Sequence, residues 1–503
     1  MGLNIGGEVE KINGADLSYH QFVERFLEKN QPVVLTGLMG NWRASKDWVT
    51  PNGHPNLAFF STHFGKSIVQ VAECGSREFT DQKRVEMSVS EFIDHWRELS
   101  MTEGCNKSSH KEQQPPLLYL KDWHFVKEYP EYVAYTTPLF FTDDWLNLYL
   151  DSLPMHVDSD NCHDRNEINC SDYRFVYMGA KGTWTPLHAD VFRSYSWSAN
   201  VCGKKKWHFL SPSQCHLLFD MSMKNSVYDI FDDVSETKFP GFKKTLWLEC
   251  TQEQNEIIFV PSGWYHQVLN MEDTISINHN WFNAYNLSWV WKLLWKDYKE
   301  AKEYIDDIRD ICDDFEGLCQ RNLAANTGMN FIDFFIFISS FSFAHLTLLY
   351  QLVRNDEYPS GSLSGKAHHL IRNLTSIRRV AFNMKFAEVF SGEKLHGCLE
   401  AFSDIRKIFE KPEFIELCIA LNRAYGMIDE QWKQDSTTKS TSVGFKPDFL
   451  WLDFIEAIGL SVSGPEDLIR IIDYAITNFS CVGKSKNFSL FHVMNELDSS
   501  TVL

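Results

Sequence analysis

The sequence predicts an α+β fold: a double-stranded β-helix, or jelly-roll, core with α/β elements before it and a helical region after it. Three observations carry this. Short strand-like segments separated by turns crowd residues 171–282, the pattern of a sandwich or barrel. Strand-like and helix-like stretches alternate upstream. Beyond Trp281, apolar residues recur at helical spacing with charges paired four apart. The predicted division is an N-terminal α/β part (1–130), the jelly-roll core (131–300) and a helical C-terminal region (301–503).

Residues 1–28 read as helical because Tyr19, Phe22, Val23 and Phe26 share one helical face. "PVVLTGL" (32–38) is a buried strand ending at Gly37, and "SIVQVAE" (67–73) is another. "SVSEFIDHWREL" (88–99) opens with a capping box, Ser88 to Glu91, and continues as an amphipathic helix. Residues 101–115 are polar and read as a loop, and "PLLYLKDWHF" leads into the core. There, "DYRFVYMG", "TWTPLHAD", "RSYSWSANVCG", "KKWHFL", "NEIIFVP", "GWYHQVLN" and "TISINHNWF" each read as a strand. "PSGWYH" reads as a tight hairpin. After residue 284 the chain reads as mostly helical, interrupted by a polar, mobile linker at 429–448.

Composition narrows the function classes. The 503 residues are 44% hydrophobic and 23% charged, which suits a large globular domain with a smaller companion. A formal net charge of −19 repels phosphate, so nucleic-acid binding is not expected. The 12 cysteines are scattered with no Cys-x-x-Cys, and "MGLNIGGEVEK" has no secretory character. Both features point to the cytosol or nucleus. Met1-Gly2 lacks the Ser or Thr at position six that an acylation signal needs. The stretch 334–353 carries no Asp, Glu, Lys or Arg, but its serines, His345 and Gln351 suit a buried helix better than a bilayer span.

The candidate site starts from His188 and Asp190 in "GTWTPLHADVF" and His266 in "IIFVPSGWYHQV". Residues two apart on a strand share a face. Two imidazoles and one carboxylate on one side of a metal leave coordination positions open, the ligand set of non-haem iron(II) oxygenases. A structural zinc site would be closed by four ligands. The bland alternative is a satisfied strand histidine beside a surface acid. A second His-x-Asp, His156 and Asp158, lies in a polar loop without strand alternation. Cys162, His163, Cys170 and His156 offer a zinc knuckle, against an inserted polar loop holding no ion. In "TISINHNW", alternation puts Ser276, Asn278 and Asn280 on one face, as pocket residues or as partners in internal ladder bonding. Ser196 and Ser198 share a face of a neighbouring strand.

Taken in order, "NQPVVLTGLMGNW", "LLYLKDWHF", "HADVFRSYSWSANVCGKKKW" and "VPSGWYHQVLNMEDTISINHNWF" make residues 15–300 resemble the cupin-like JmjC family of Fe(II)/2-oxoglutarate oxygenases. The resemblance implies His188, Asp190 and His266 as metal ligands and catalytic centre. It implies Lys205, two before Trp207, as the cation for the distal carboxylate of 2-oxoglutarate. Tyr119 and Thr185 match family co-substrate contacts, joined by Asn278, Asn280 and Ser198. Strand alternation turns Lys204 and Lys206 towards solvent. Fe(II), 2-oxoglutarate and O2 are then the expected cofactors, with succinate and CO2 released.

The resemblance further implies a protein substrate: a lysine of the translation release factor to be hydroxylated, or a histone tail to be demethylated at arginine or lysine. The absence of a recognisable chromatin-reader module tilts the reading to hydroxylation. A non-enzymatic JmjC-like binding module is the third reading, though all three ligands are present. The helices after Trp281 are expected to pack beside the core and to offer a homodimer contact.

Overall fold

The computed structural model describes residues 2–104, 115–153, 172–354, 365–390, 405–435 and 462–482. His156, Asp158, Cys162, His163 and Cys170 lie outside them, as do residues 105–114 of the expected loop. The chain groups into two compact units, 1–138 with 171–281, and 139–170 with 282–503. The expected three-part division followed chain order. Contacts group the chain differently, because strands from both ends of the first unit share its sheets.

Fourteen strands occur among the described residues, all in the first unit. They are β1 (Ile5–Glu8), β2 (Glu10–Asn13), β3 (Val33–Thr36), β4 (Ile68–Glu78), β5 (Asp81–Ser88), β6 (Leu118–Trp123) and β7 (Arg174–Gly179), then β8 (Trp184–His188), β9 (Tyr195–Cys202), β10 (Lys205–Leu210), β11 (Trp247–Gln252), β12 (Glu256–Val260), β13 (Tyr265–Asn270) and β14 (Thr274–Trp281). One sheet has the order β1-β11-β10-β13-β8 and the other β2-β3-β12-β9-β14-β7-β6-β4-β5. This is the expected jelly-roll core, its larger sheet extended by strands of the N-terminal part.

The larger sheet is polar inside and aromatic outside. On β9, Ser196 and Ser198 face the opposite sheet across a cavity. Tyr195 and Trp197 point the other way, into aromatic packing: Phe259 lies 5.1 Å from Tyr195, and His279 stacks on Trp197 at 4.0 Å. The helical segment Tyr19–Leu27 covers that outer face, with Phe22 edge-on to Phe259 at 5.5 Å. The aromatic face thus packs under the N-terminal segment, and the polar face lines the cavity.

Several expectations change. Residues 5–13 form β1 and β2, which pair in parallel with β11 and β3; the helical spacing holds only from Tyr19. β5 and β11 went unread because each mixes charges into its strand period. The turn at Pro261–Trp264 is no hairpin: β12 and β13 belong to different sheets, and the turn is the corner between them, with Gly263 at φ +73°. Residues 429–435 finish the helix Pro412–Asp435, being rich in helix-forming side chains, and the rest of the expected linker lies outside the described residues. The helix Val89–Gly104 bears its capping box: Glu91 N–H donates to Ser88 Oγ at 3.2 Å, and Ser88 N–H to Glu91 at 2.8 Å.

The second unit is helical among its described residues. Its helix Phe331–Arg354 contains the uncharged stretch, a window long and apolar enough to cross a bilayer but 83% buried within the protein. Two of its polar groups are met inside the unit: His345 Nε2 lies 2.7 Å from Tyr425 Oη, and Ser340 Oγ donates to the Ile336 carbonyl at 2.9 Å.

Phe259 touches Phe22, Tyr195 and Trp281 and is fully buried. Phe259→Ala is expected to cost about 3–5 kcal/mol by opening a cavity there. Urea unfolding of the variant against the parent measures it.

Candidate metal and co-substrate site

The register of the smaller sheet assembles the donors. β8 and β13 pair antiparallel with His188 directly opposite His266, and their rings lie 4.3 Å apart. Asp190 follows two residues beyond His188, where β8 has ended. One donor atom from each of the three lies within 4.8 Å of the others. The spacing suits a single ion, and the donor set of two nitrogens and one carboxylate oxygen suits ferrous iron with positions left for exchangeable ligands.

Backbone carbonyls set the tautomers. His188 Nδ1 lies 2.8 Å from the Pro186 carbonyl, and His266 Nδ1 lies 3.1 Å from the Trp264 carbonyl. A carbonyl only accepts, so each Nδ1 carries the hydrogen and each Nε2 keeps its lone pair for a metal. Each histidine uses the carbonyl two residues before it. Burial, with the neighbouring His188, pushes His266 down to about 4 despite the opposing pull of Asp190. The ring is therefore neutral at physiological pH, as a ligand must be.

Asp190 is oriented from both sides. Ser196 Oγ donates to Oδ2 at 2.8 Å, and Asn280 Nδ2 donates to Oδ1 at 3.1 Å. Asn280 was expected at the co-substrate; the β9–β14 register sets it opposite Ser196, and both amide and hydroxyl turn to the carboxylate. Asn278, one turn of the pleat away, donates to Ser276 Oγ at 3.2 Å and lines the cavity.

The cavity, about 60 Å³, lies between the sheets. The smaller sheet presents Thr185, His188, Lys205, Trp207, His266 and Val268; the larger presents Tyr119, Tyr177, Ser196, Ser198, Asn278 and Asn280. Lys205 is 2% exposed, and its Nζ donates to Tyr119 Oη at 3.1 Å. No carboxylate pairs with it among the described residues, and burial pushes it down to about 7. Ser198 Oγ is buried without a hydrogen-bond partner. A buried ammonium beside a tyrosine hydroxyl that still has its hydrogen to donate, with an unsatisfied serine in the same wall, fits an anionic carboxylate. Lys204 and Lys206, by contrast, face acidic surface partners, Glu253 at 3.2 Å and Glu249 at 2.8 Å. The turn before Lys205 depends on Gly203, at φ +76°, where a Cβ would come within 2.1 Å of the Asp273 carbonyl oxygen.

Tyr177 and Val268 were not singled out from the sequence. Tyr177 stands edge-on to Tyr119 at 5.9 Å, and its hydroxyl donates to Asp122 at 2.6 Å. Alternation with Phe175 was the available signal. Trp207, used only to locate Lys205, itself forms part of the wall. Trp264 is a packing residue: it is buried, and its Nε1 donates to the Asn30 carbonyl at 2.8 Å.

Asn280→Ala leaves Asp190 with one fewer donor. It is expected to weaken metal binding by about 10–100-fold, as loss of outer-shell partners does elsewhere, with far-UV circular dichroism unchanged. Titration of the apoprotein with Co(II) measures it.

The Cupin-like domain family matches residues 19–286 of the chain. The chain is 55% identical over 474 residues to the arginine-specific demethylase JMJ20 of Arabidopsis thaliana, covering 94% of this chain and 98% of that one. It is 39% identical over 349 residues to the 2-oxoglutarate and iron-dependent oxygenase JMJD4 of Danio rerio, covering 68% and 76%. Its identity to the Homo sapiens protein of the same name is 36% over 348 residues, covering 67% and 77%. With a jelly roll whose two sheets enclose two histidines, an aspartate and a buried lysine, the chain belongs to the cupin-like JmjC family of iron- and 2-oxoglutarate-dependent oxygenases.

Proposed function

We propose that this oxygenase hydroxylates a protein side chain, a lysine of the translation release factor, in the cytosol or nucleus. In this reading His188, Asp190 and His266 hold the iron, and Lys205, Tyr119, Thr185, Ser198 and Asn278 receive 2-oxoglutarate. The observation that carries it is the shared cavity: three donor atoms within 4.8 Å of one another open onto the same space as a buried lysine lacking a carboxylate partner. Iron and 2-oxoglutarate, when bound, supply activation of dioxygen, coupled to loss of CO2 and formation of succinate, and place one oxygen atom on the substrate. The protein's residues do the rest. Lys205 and Tyr119 fix the distal carboxylate by charge-assisted hydrogen bonds. Ser196 and Asn280 hold Asp190 in its ligating orientation, and Trp207 and Val268 keep the wall apolar and exclude water.

A second reading is arginine demethylation, favoured by the 55% identity to a protein named for that activity across 94% of this chain. Both begin with oxygen insertion at a C–H bond. When that carbon is an N-methyl group, the N-hydroxymethyl product collapses: the C–N bond breaks, the nitrogen keeps a hydrogen and the carbon leaves as formaldehyde. Intact-mass analysis of release-factor and methylated-histone peptides after turnover separates them: a retained oxygen atom marks hydroxylation, and loss of a methyl group marks demethylation. His188→Ala is expected to abolish succinate formation while the protein stays folded. Unchanged turnover in that variant refutes the metal assignment.

The pH dependence follows from Lys205. Its ammonium, held down to about 7 by burial, rises in pKa once a carboxylate sits beside it. Binding then takes up a proton above pH 7, so affinity for 2-oxoglutarate is greatest below that pH and falls as pH rises, by up to about tenfold per unit until the bound-state pKa is reached. Calorimetric titration from pH 6.5 to 9 tests this. Lys205→Arg, which stays charged throughout, is expected to flatten the profile.

A further inference from the structure

Just after Asp190 the backbone does something that neither strand geometry nor glycine explains. Phe192 and Arg193 have φ of 55° and 52°. Two consecutive side-chain-bearing residues in the left-handed region are disfavoured and persist only where their surroundings over-determine them. Several contacts do so here. The Phe192 ring is buried, edge-on to Tyr173 at 5.5 Å. The Arg193 N–H donates to the Asp190 carbonyl at 3.1 Å, and the Ser194 N–H to the Val191 carbonyl at 2.9 Å. Asn280 Nδ2, already bonded to Asp190, also donates to Ser194 Oγ at 3.2 Å.

The remaining contact crosses to another strand. The Arg193 guanidinium lies 5.1 Å from the centroid of the Tyr265 ring, and its Nη2 donates to Tyr265 Oη at 3.3 Å. Tyr265 is 8% exposed, is backed by Phe219 at 6.0 Å, and immediately precedes His266. No acidic side chain ion-pairs with Arg193 among the described residues. A planar guanidinium can stack on a ring and hydrogen-bond its hydroxyl together, which an ammonium on a flexible stem does less well.

We propose that Arg193 is a positioning residue for the metal site. Its contact with Tyr265 ties the strained turn carrying Asp190 to the strand carrying His266, keeping the carboxylate within ligating reach of the imidazole. His188 and His266 need no such tie, since β8 and β13 pair directly. Asp190 lies beyond the end of β8, and the ladder does not hold it. The inference rests on the reading of His188, Asp190 and His266 as the iron ligands.

The test is a double-mutant cycle read by metal binding on purified apoprotein, with Co(II) as the probe and its visible absorption as the coordination signature. Arg193→Met keeps length but removes charge and donors; Tyr265→Leu removes the ring. Each is expected to weaken Co(II) affinity by about tenfold and to alter the absorption band. The double variant is expected to be no weaker than either single one, because both remove the same contact. Arg193→Lys is expected to recover part of the loss, and Tyr265→Phe most of it; these milder changes carry the test if either truncation fails to fold by circular dichroism. Parental affinity and spectrum in the folded single variants, or additive losses in the double, overturn the clamp. A parent protein that fails to bind Co(II), or a His188→Ala variant that binds it as well as the parent, overturns the iron-site reading instead.

Discussion

The pairing of β8 with β13, which sets His188 opposite His266, is the constraint on which the site depends. A one-residue slip in that register would turn one imidazole to the outer face, since strand side chains alternate with period two. The same ladder continues to β10, where Trp207 lies opposite Val268 and Lys205 opposite Asn270. The distance from metal site to buried lysine is therefore counted in strand residues. No loop sets it.

The outer face of that sheet braces this register. Residues 228–230 lie against the two strands that bear the histidines. The Leu187 N–H donates to the Tyr228 carbonyl at 2.9 Å, beside His188. Gln267, beside His266, donates to Asp229 at 2.7 Å and accepts from the Ile230 N–H at 3.0 Å. Leu187, Leu210, Leu218, Val227, Ile230 and Trp247 fill the space between as one apolar cluster. The inner face of the same sheet bears the buried ammonium of Lys205, and this packing of the outer face helps to support it.

What was legible in the sequence was local. Lys205 with Trp207, and Asn278 with Asn280, are each two apart on one strand, where alternation assigns a shared face directly; Thr185 and His188 are three apart, and both reach the cavity because the β8–β13 register shifts between them. The core strands were legible for the same reason. Non-local matters were not. Asn280 was placed on the correct face, but its partner depends on the β9–β14 register, which nothing within "TISINHNW" encodes. The corner at Pro261–Trp264 carries the residues of a tight turn and could as well have closed a hairpin; only the partners of β12 and β13 distinguish the two. β1, β2, β5 and β11 escaped notice because exposed or charge-bearing strands lack the apolar alternation that marks a buried one.

The three ligands also differ in how they are held, and that difference bears on how the site works. The two histidines are fixed twice over, by strand pairing and by carbonyls that fix their tautomers. Asp190 lies outside the ladder and is held by Ser196, by Asn280 and by a turn closed by the Arg193 N–H bond to its carbonyl and tethered by the Arg193 side chain. It also adjoins exposed surface, since Val191, the next residue, is 52% exposed. A change at residues 191–193 therefore reaches the carboxylate through the Arg193 N–H bond to the Asp190 carbonyl and leaves the β8–β13 pairing of the two histidines untouched.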